Sequence, residues 1–570
     1  MSFLFKIPAI VSDGIILFLQ GIIGFSWFFV IYRLVSLGNQ LDFISLPSTF
    51  PNFPHFPSTL NTKRDWKSLG AHLIFCYCLL ESIFSLYQIF LIGKSRKLPV
   101  FTQHPREFLR DILLRATGSG LGPKNIPTLK PTDDGSREYE AKIQPPSHHP
   151  TERLPFDHPA AVEYRQTFVI WFRNCQWKEL HYDNVLEWLC CTLFNKTLDQ
   201  ARAEDKDTEE NKIIPFLDEL VLLQENKSGT MFPKGYNESL RHRVIKLTLD
   251  PLKVKLRPLI FYAFAWSSDW LVKRFMMSNG FEFRHTFAEN YKQNYLVRIP
   301  KNWENLSGLV LYITILHWLS VSSWSKERPM VVLIQPHISM GMFDPSYLKP
   351  PNHVQVTENI RLAIEYWGFK KTGVDLLSHS NGTLVSGWVI KEFPNLVRRC
   401  CMLDPVCFGN FLYSKPKTGM EKVIRYSLGT ELGISNYIHR YFDWPRALIF
   451  PHQIPFFKDP KRFLVVLGGK DSILTASRVY KYLIINGMKN AFPEKQLLSK
   501  SGSSESVIQS NRANTQERQN LIYNPATQKL EGGIFFDPNA AHGETFMPQN
   551  PYFKLLKAWM EEAPIIAAKY

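Results

Sequence analysis

The chain has 570 residues, 45% hydrophobic and 14% aromatic, which is longer than one ordinary domain and too apolar for a disordered protein. Lysine and arginine outnumber aspartate and glutamate by 67 to 51, a net charge of +16, yet they are scattered among aromatics and acids. With no arginine-rich arm or nucleic-acid motif, nucleic acid is excluded as a partner, and the excess is read as attraction to an anionic membrane surface.

From the amino terminus, Gly14 to Tyr32 carries no charge and is close to the ~20 residues a bilayer span needs. It is too long for a signal-peptide core and no small-x-small cleavage step follows it. A second apolar run, His72 to Ile92, holds only Glu81 near its centre and ends at Lys94, Arg96 and Lys97. Residues 1–97 are therefore expected to be a membrane anchor of two transmembrane helices, with the lipid bilayer as partner. Two crossings put both ends of the chain on one side. The closing basic cluster favours a cytosolic body, on the endoplasmic reticulum or another endomembrane, against Lys63, Arg64 and Lys67 in the opposite loop. Glu81 has two readings, a relay or ligand site and a carboxylate that is protonated or hydrogen-bonded to the neighbouring span through Gln20 or Ser26; the second is favoured.

Residues 98–159 turn polar and proline-rich and read as a flexible linker. Residues 160–279 show amphipathic helical spacing, with Phe168, Trp171, Phe172 and Trp177 on a broad apolar face expected to pack on the body that follows. Leu309 to Leu319 is apolar but too short for a third span. Eight cysteines, at 76, 78, 175, 190, 191, 400, 401 and 407, have neither metal-ligand nor disulfide-framework spacing, and Cys400 and Cys401 are expected on opposite faces of one strand. No metal motif and no cofactor fingerprint occurs.

The most informative segment is Leu376-Leu-Ser378-His-Ser380-Asn-Gly382-Thr-Leu384, an apolar run that ends in small-x-Ser-x-Gly and continues as a helix. This is the outline of a nucleophile elbow, in which small residues on either side let a strained strand-to-helix turn hold a serine hydroxyl at the sheet edge. Ser378 stands where glycine is usual, Ser380 is the candidate nucleophile and Gly382 closes the turn. A serine needs a base and a group to orient that base, in the chain order serine, acid, histidine. Phe463 to Leu467 is a short strand opening into Gly468-Gly-Lys-Asp471, and Gly533 to Phe536 is another leading to His542-Gly543. Each partner thus follows its own strand. Residues 405–459 form an aromatic-rich insertion in which Phe408, Phe411, Tyr413, Tyr437, Tyr441 and Phe442 line an acyl channel or simply pack a core, at equal odds. Residues 495–520 have the composition of a mobile loop.

On Ser378-His-Ser380-Asn-Gly382, Gly468-Gly-Lys-Asp471 and His542-Gly543, the chain over residues 280–570 resembles the α/β-hydrolase family of serine esterases and lipases. Asp183-Asn-Val-Leu-Glu-Trp-Leu, upstream, is similar to segments of membrane-anchored fungal hydrolases of undefined substrate. The resemblance implies an α/β fold: a mostly parallel twisted sheet flanked by helices, with residues 405–459 as a lid-like insertion, preceded here by two transmembrane helices. It implies that Ser380 attacks an acyl carbonyl, His542 moves the proton, and Asp471 fixes the imidazole, with Asp404 as the alternative acid after the preceding strand. The oxyanion hole is expected from the backbone N–H of Asn381 and, in the loop Gln335-Pro-His337-Ile338-Ser-Met-Gly341, from that of Ile338 beside His337. Ile338 replaces the usual glycine there. The expected substrate is an apolar ester such as a lipid, with acyl transfer or an inactive scaffold of the same fold as alternatives. Oligomeric state is not legible.

Overall fold

The computed structural model describes residues 9–40, 66–97, 103–118, 129–131, 137–139, 153–207, 210–246, 248–300, 318, 321–322, 328–408, 419–491, 532–547 and 550–561. The expected mobile loop 495–520, Phe411, Tyr413 and most of Leu309 to Leu319 lie outside the described residues.

Two helices, α1 (Ala9–Gln40) and α2 (Trp66–Ser95), are long and apolar enough to span a membrane. They pack on each other, and the Trp27 indole donates to Ser85 Oγ at 2.8 Å. Most of the apolar surface of α1 faces outward, whereas α2 turns one side to the rest of the protein.

The stretch expected to be a linker contains a helix, α3 (Arg106–Gly118). Phe108, Leu109, Ile112 and Leu113 fall on one side of it and are buried against the helices that follow. A short antiparallel ribbon, β1 (Leu129–Pro131) with β2 (Arg137–Tyr139), also lies in this stretch. Helices α4 (Pro159–Phe168), α5 (Tyr182–Phe194), α6 (Leu198–Asp207) and α7 (Ile213–Ser228) then enclose a core of their own. Phe168, Phe172, Leu189 and Leu217 are in it, and so are Leu448 and Phe450 from the 405–459 insertion, which joins these helices to the body. Helix α8 (Leu259–Ser278) leaves this group and packs on α2.

Strands β3 (Glu282–Ala288), β4 (Tyr291–Arg298) and β5 (Met330–Leu333) run antiparallel. Strands β6 (Val374–His379), β7 (Val397–Leu403), β8 (Phe463–Gly468) and β9 (Ile534–Asp537) run parallel in the order of the chain. Parallel strands covered on both sides show no alternation of burial, and β6 to β8 are buried almost throughout, β8 as a continuous apolar run. One face meets α9 (His353–Tyr366), α10 (Gly382–Glu392) and, after β8, α14 (Ala476–Ile485), through Leu376, Cys400, Met402 and Val465. Between β7 and β8 the insertion forms the short helices α11 (Gly419–Ile424), α12 (Leu432–Asn436) and α13 (Trp444–Ala447). The other face takes Leu377, Cys401, Leu403 and Val466 against Met276 of α8 and Phe553, Leu556 and Trp559 of α15 (Pro551–Glu561). Cys400 and Cys401 thus fall on opposite faces. Each fully buried leucine or valine contributes about 1.5–3 kcal/mol, so the two faces hold the strand ends firmly where loops depart. Four parallel strands layered between helices on both faces, with three antiparallel strands before them and two apolar amino-terminal helices, make an α/β architecture.

Candidate active site

Three residues follow three parallel strands. After β6 the backbone turns through Ser380 with φ +50°, a left-handed conformation rare for a residue with a Cβ, and α10 begins two residues later. The turn is pinned at both ends: Ser380 N–H donates to Leu403 O of β7 at 3.0 Å, and Thr383 Oγ1 donates to Ser380 O at 2.6 Å. Strain of this kind persists only where the surroundings over-determine it. Ser378, two residues earlier, is buried, and its hydroxyl has no hydrogen-bond partner among the described residues.

After β8, Asp471 is held in a tight loop where its Oδ1 accepts from the amides of Ile473 (2.7 Å) and Leu474 (2.9 Å). Its Oδ2 lies 2.6 Å from Nδ1 of His542, which follows β9, and the carboxylate side chain is wholly buried. A carboxylate accepts only, so Nδ1 carries the hydrogen and Nε2 of the neutral ring is left with its lone pair. Burial pushes the His542 pKa down, but the hydrogen bond and charge of Asp471, with the charge of Asp404, outweigh it and raise it above that of a free imidazole. The His542 ring packs against His379, the neighbour of Ser380, at 4.7 Å between centroids. His379 itself is buried between His542 and Phe546, and burial pushes its pKa down to about 4, so it is neutral.

The acid loop and the histidine loop touch through backbone. A Cβ on Gly468 would lie 2.8 Å from Ala540 O and 2.9 Å from Ala541 O, so the approach tolerates no side chain there. Between the loops sits Asp404, wholly buried after β7 with φ +42°. Its Oδ1 accepts from Gly468 N–H at 2.8 Å and its Oδ2 from Gly543 N–H at 2.7 Å. One carboxylate thus grips the last residue of β8, where the acid loop departs, and the residue after His542. Burial acts to raise its pKa, but the His379 ring 3.6 Å away, the charge of His542 and the Gly543 amide hold it below its ordinary value. Donor atoms of His379, Asp404 and His542 lie within 4.8 Å of one another, a spacing that suits a metal ion. Both Asp404 oxygens, however, already accept amides, and His542 Nδ1 already faces Asp471. Those bonds are the chemistry of a hydrogen-bonded scaffold.

Asp471 rather than Asp404 pairs with His542. The clamp role of Asp404 escaped sequence reasoning; its only signal was an acid-proline step, Asp404-Pro405, ending a buried strand. The loop Gln335 to Gly341 requires a correction. Ile338 N–H donates to Gln335 O at 3.0 Å within a turn, so it is not a free oxyanion donor. The backbone amides of His337 and Asn381 have no acceptor among the described residues. The His337 ring is buried beside Tyr437 of the insertion, 5.1 Å between centroids, and burial pushes its pKa down to about 4. Of the expected channel residues, Phe408 is part of the core.

No family model matches the chain, and no curated protein does. Among solved structures, a putative hydrolase from Bacillus subtilis is similar at 11% identity and TM-score 0.26, over 38% of this chain and 86% of that one. MGS-MChE2, an alpha/beta hydrolase enzyme from a lagoon-sediment metagenome of Mar Chica, Morocco, is similar at 11% identity and TM-score 0.28, over 49% and 98%. Carboxylesterase CesB from Bacillus subtilis is similar at 10% identity and TM-score 0.24, over 39% and 88%.

Proposed function

We propose that the protein is a membrane-anchored serine hydrolase that cleaves carboxylic esters of apolar acids through an acyl-enzyme. The observation that carries this reading is the 2.6 Å Asp471–His542 pair beside the left-handed turn at Ser380. In the proposed reaction Nε2 of His542 takes the Ser380 proton as Oγ attacks the acyl carbonyl, and returns it to the leaving alcohol. Asp471 holds the ring in the tautomer that leaves Nε2 free and stabilises the imidazolium once it forms. The carbonyl oxygen, as it gains charge, is met by Asn381 N–H at the start of α10 and by His337 N–H in place of Ile338. Water, or an acceptor alcohol in an acyl transferase, then releases the acyl group by the reverse sequence. An apolar acid suits the two candidate spans and the aromatic insertion, and the basic residues closing α2 suit a cytosolic body.

A fluorophosphonate probe tests the chemistry, since only an activated serine reacts. Native protein is expected to label, and Ser380→Ala and His542→Ala to abolish labelling without unfolding. One observation favours the alternative of an inactive scaffold: among the described residues none exchanges a hydrogen bond with Ser380 Oγ. Native protein that stays unlabelled would establish that alternative. Product analysis with added alcohols separates hydrolysis from acyl transfer, and protease protection of sealed vesicles assigns the side of the membrane.

A further inference from the structure

Helix α8 joins the body to the membrane helices at an unexpected depth. Glu81, in the middle of the Leu69–Ser95 candidate span, accepts from Leu259 N–H at 2.8 Å, at the first residue of α8. About two turns further along, Gln88 both donates to Arg257 O at 2.7 Å and accepts from Arg257 N–H at 3.1 Å. At 1.5 Å per residue Glu81 lies about 21 Å from Ser95, more than the ~15 Å half-thickness of a hydrocarbon core. A helix starting level with Glu81 therefore starts inside the membrane if α2 spans it.

The sequence of α8 matches such a path. No charge occurs from Leu259 to Ser268; Asp269, Lys273 and Arg274 come only in the second half, and Trp270 stands at the change. Ile260, Phe264, Trp270 and Leu271 are exposed, Phe264 to 75%, on the side turned away from the protein. An apolar outer face, a tryptophan at the boundary and basic residues beyond it are the order in which a helix rises from acyl chains to headgroups.

We propose that the outer face of α8 is embedded among lipid acyl chains as a third membrane element, and that an apolar ester reaches the site sideways from the bilayer along it. The route rests on the hydrolase reading; the embedding does not. Continuity with the candidate site is direct. Trp266 Nε1 donates to Met340 O at 2.9 Å, and Met340 and Met342 share a cluster with Tyr262 of α8 and Phe84 of α2. Phe343 stacks on Tyr87 of α2 at 6.0 Å and packs against Trp266 at 5.1 Å. The loop that carries His337 is thus fastened to the membrane side of the molecule.

The test uses the full chain in phosphatidylcholine vesicles with Cys76, the exposed cysteine, changed to serine. Nitroxide labels are placed at Phe264→Cys and, separately, Ile260→Cys, with exposed Ala203→Cys of α6 as aqueous reference. Embedding is expected to make both α8 labels collide preferentially with oxygen, while the reference collides with a water-soluble nickel chelate. Nickel-dominated collisions at both α8 sites, in a chain that remains membrane-bound, would overturn the proposal. For the route, Phe264→Ser is expected to lower turnover of 4-nitrophenyl palmitate held in the vesicles by about tenfold, with 4-nitrophenyl acetate within about twofold of the unmodified protein. Equal losses on both esters would refute sideways entry. Hydrolysis of neither ester by the unmodified chain, with oxygen-dominated labels, would uphold the embedding and remove the hydrolase reading.

Discussion

Replacing Asp404 with asparagine tests whether one buried carboxylate holds the site together. Asparagine has the same shape but a single acceptor oxygen, so whichever way it sits its NH2 group faces either Gly468 N–H or Gly543 N–H. A hydrogen bond to a charged acceptor contributes about 1.5–3 kcal/mol, and a buried donor left without one costs about 1–3 kcal/mol. The substitution is therefore expected to cost about 3–5 kcal/mol, a large part of the ~5–15 kcal/mol available to a folded domain. Because both grips lie beside Asp471 and His542, the imidazole should also lose its aim, and a displacement near 1 Å is enough for a loss on the order of 10²-fold in kcat. Thermal unfolding in detergent micelles and ester turnover measure the two effects, with kcat falling and KM nearly unchanged. The pH dependence adds a sign. Asp404 is held below its ordinary value, so its contribution is complete above the unfolded carboxylate range and is lost only as pH falls through the lower folded value. Asp404→Asn protein as stable as its parent at neutral pH, with unchanged kcat, would refute the clamp.

The pair Asp471–His542 should show opposite trends in activity and stability. Its raised His542 pKa means that kcat/KM rises as pH climbs through a midpoint above 6.5, where Nε2 becomes free. The stability from the pair is complete below 6.5 and lost as pH rises through that same midpoint. Asp471→Asn should move the activity midpoint down and flatten the stability trend. Ser378→Ala removes a buried hydroxyl without a partner and should raise stability by about 1 kcal/mol, read as a higher melting temperature. Gly468→Ala places a Cβ 2.8–2.9 Å from two carbonyl oxygens of the histidine loop and should cost about 1–3 kcal/mol, with a fall in kcat, by the same assays.

Serine, acid and histidine were legible because each follows an apolar run that is buried on both faces, and a strand end is a local property. The clamp was not, since Asp404, Gly468 and Gly543 meet only when three parallel strands lie side by side. Ile338 was misjudged for a related reason: a tight turn consumes its amide, and turns of that kind depend on φ and ψ rather than composition. Helix α3 did carry its signal in the spacing of Phe108, Leu109, Ile112 and Leu113, but the proline-rich surroundings dominated the reading of residues 98–159. Glu81 was expected to bond to the neighbouring span, through Gln20 or Ser26. It accepts instead from the Tyr77 hydroxyl of its own helix and from Leu259 N–H, 178 positions away, a pairing that no pattern along the chain discloses.

The bond from Leu259 to Glu81, with the Gln88–Arg257 pair beside it, makes the amino-terminal helices a structural member of the body rather than a leash. Proteolysis between α2 and α3 would break the covalent link yet leave α8 seated. A shortened chain beginning after α2 would strand the Leu259 amide and both backbone groups of Arg257 and bare the Tyr262 ring, inviting aggregation where a soluble enzyme was sought. Grafting a foreign apolar tail in its place would leave those groups of Leu259, Arg257 and Tyr262 unmatched.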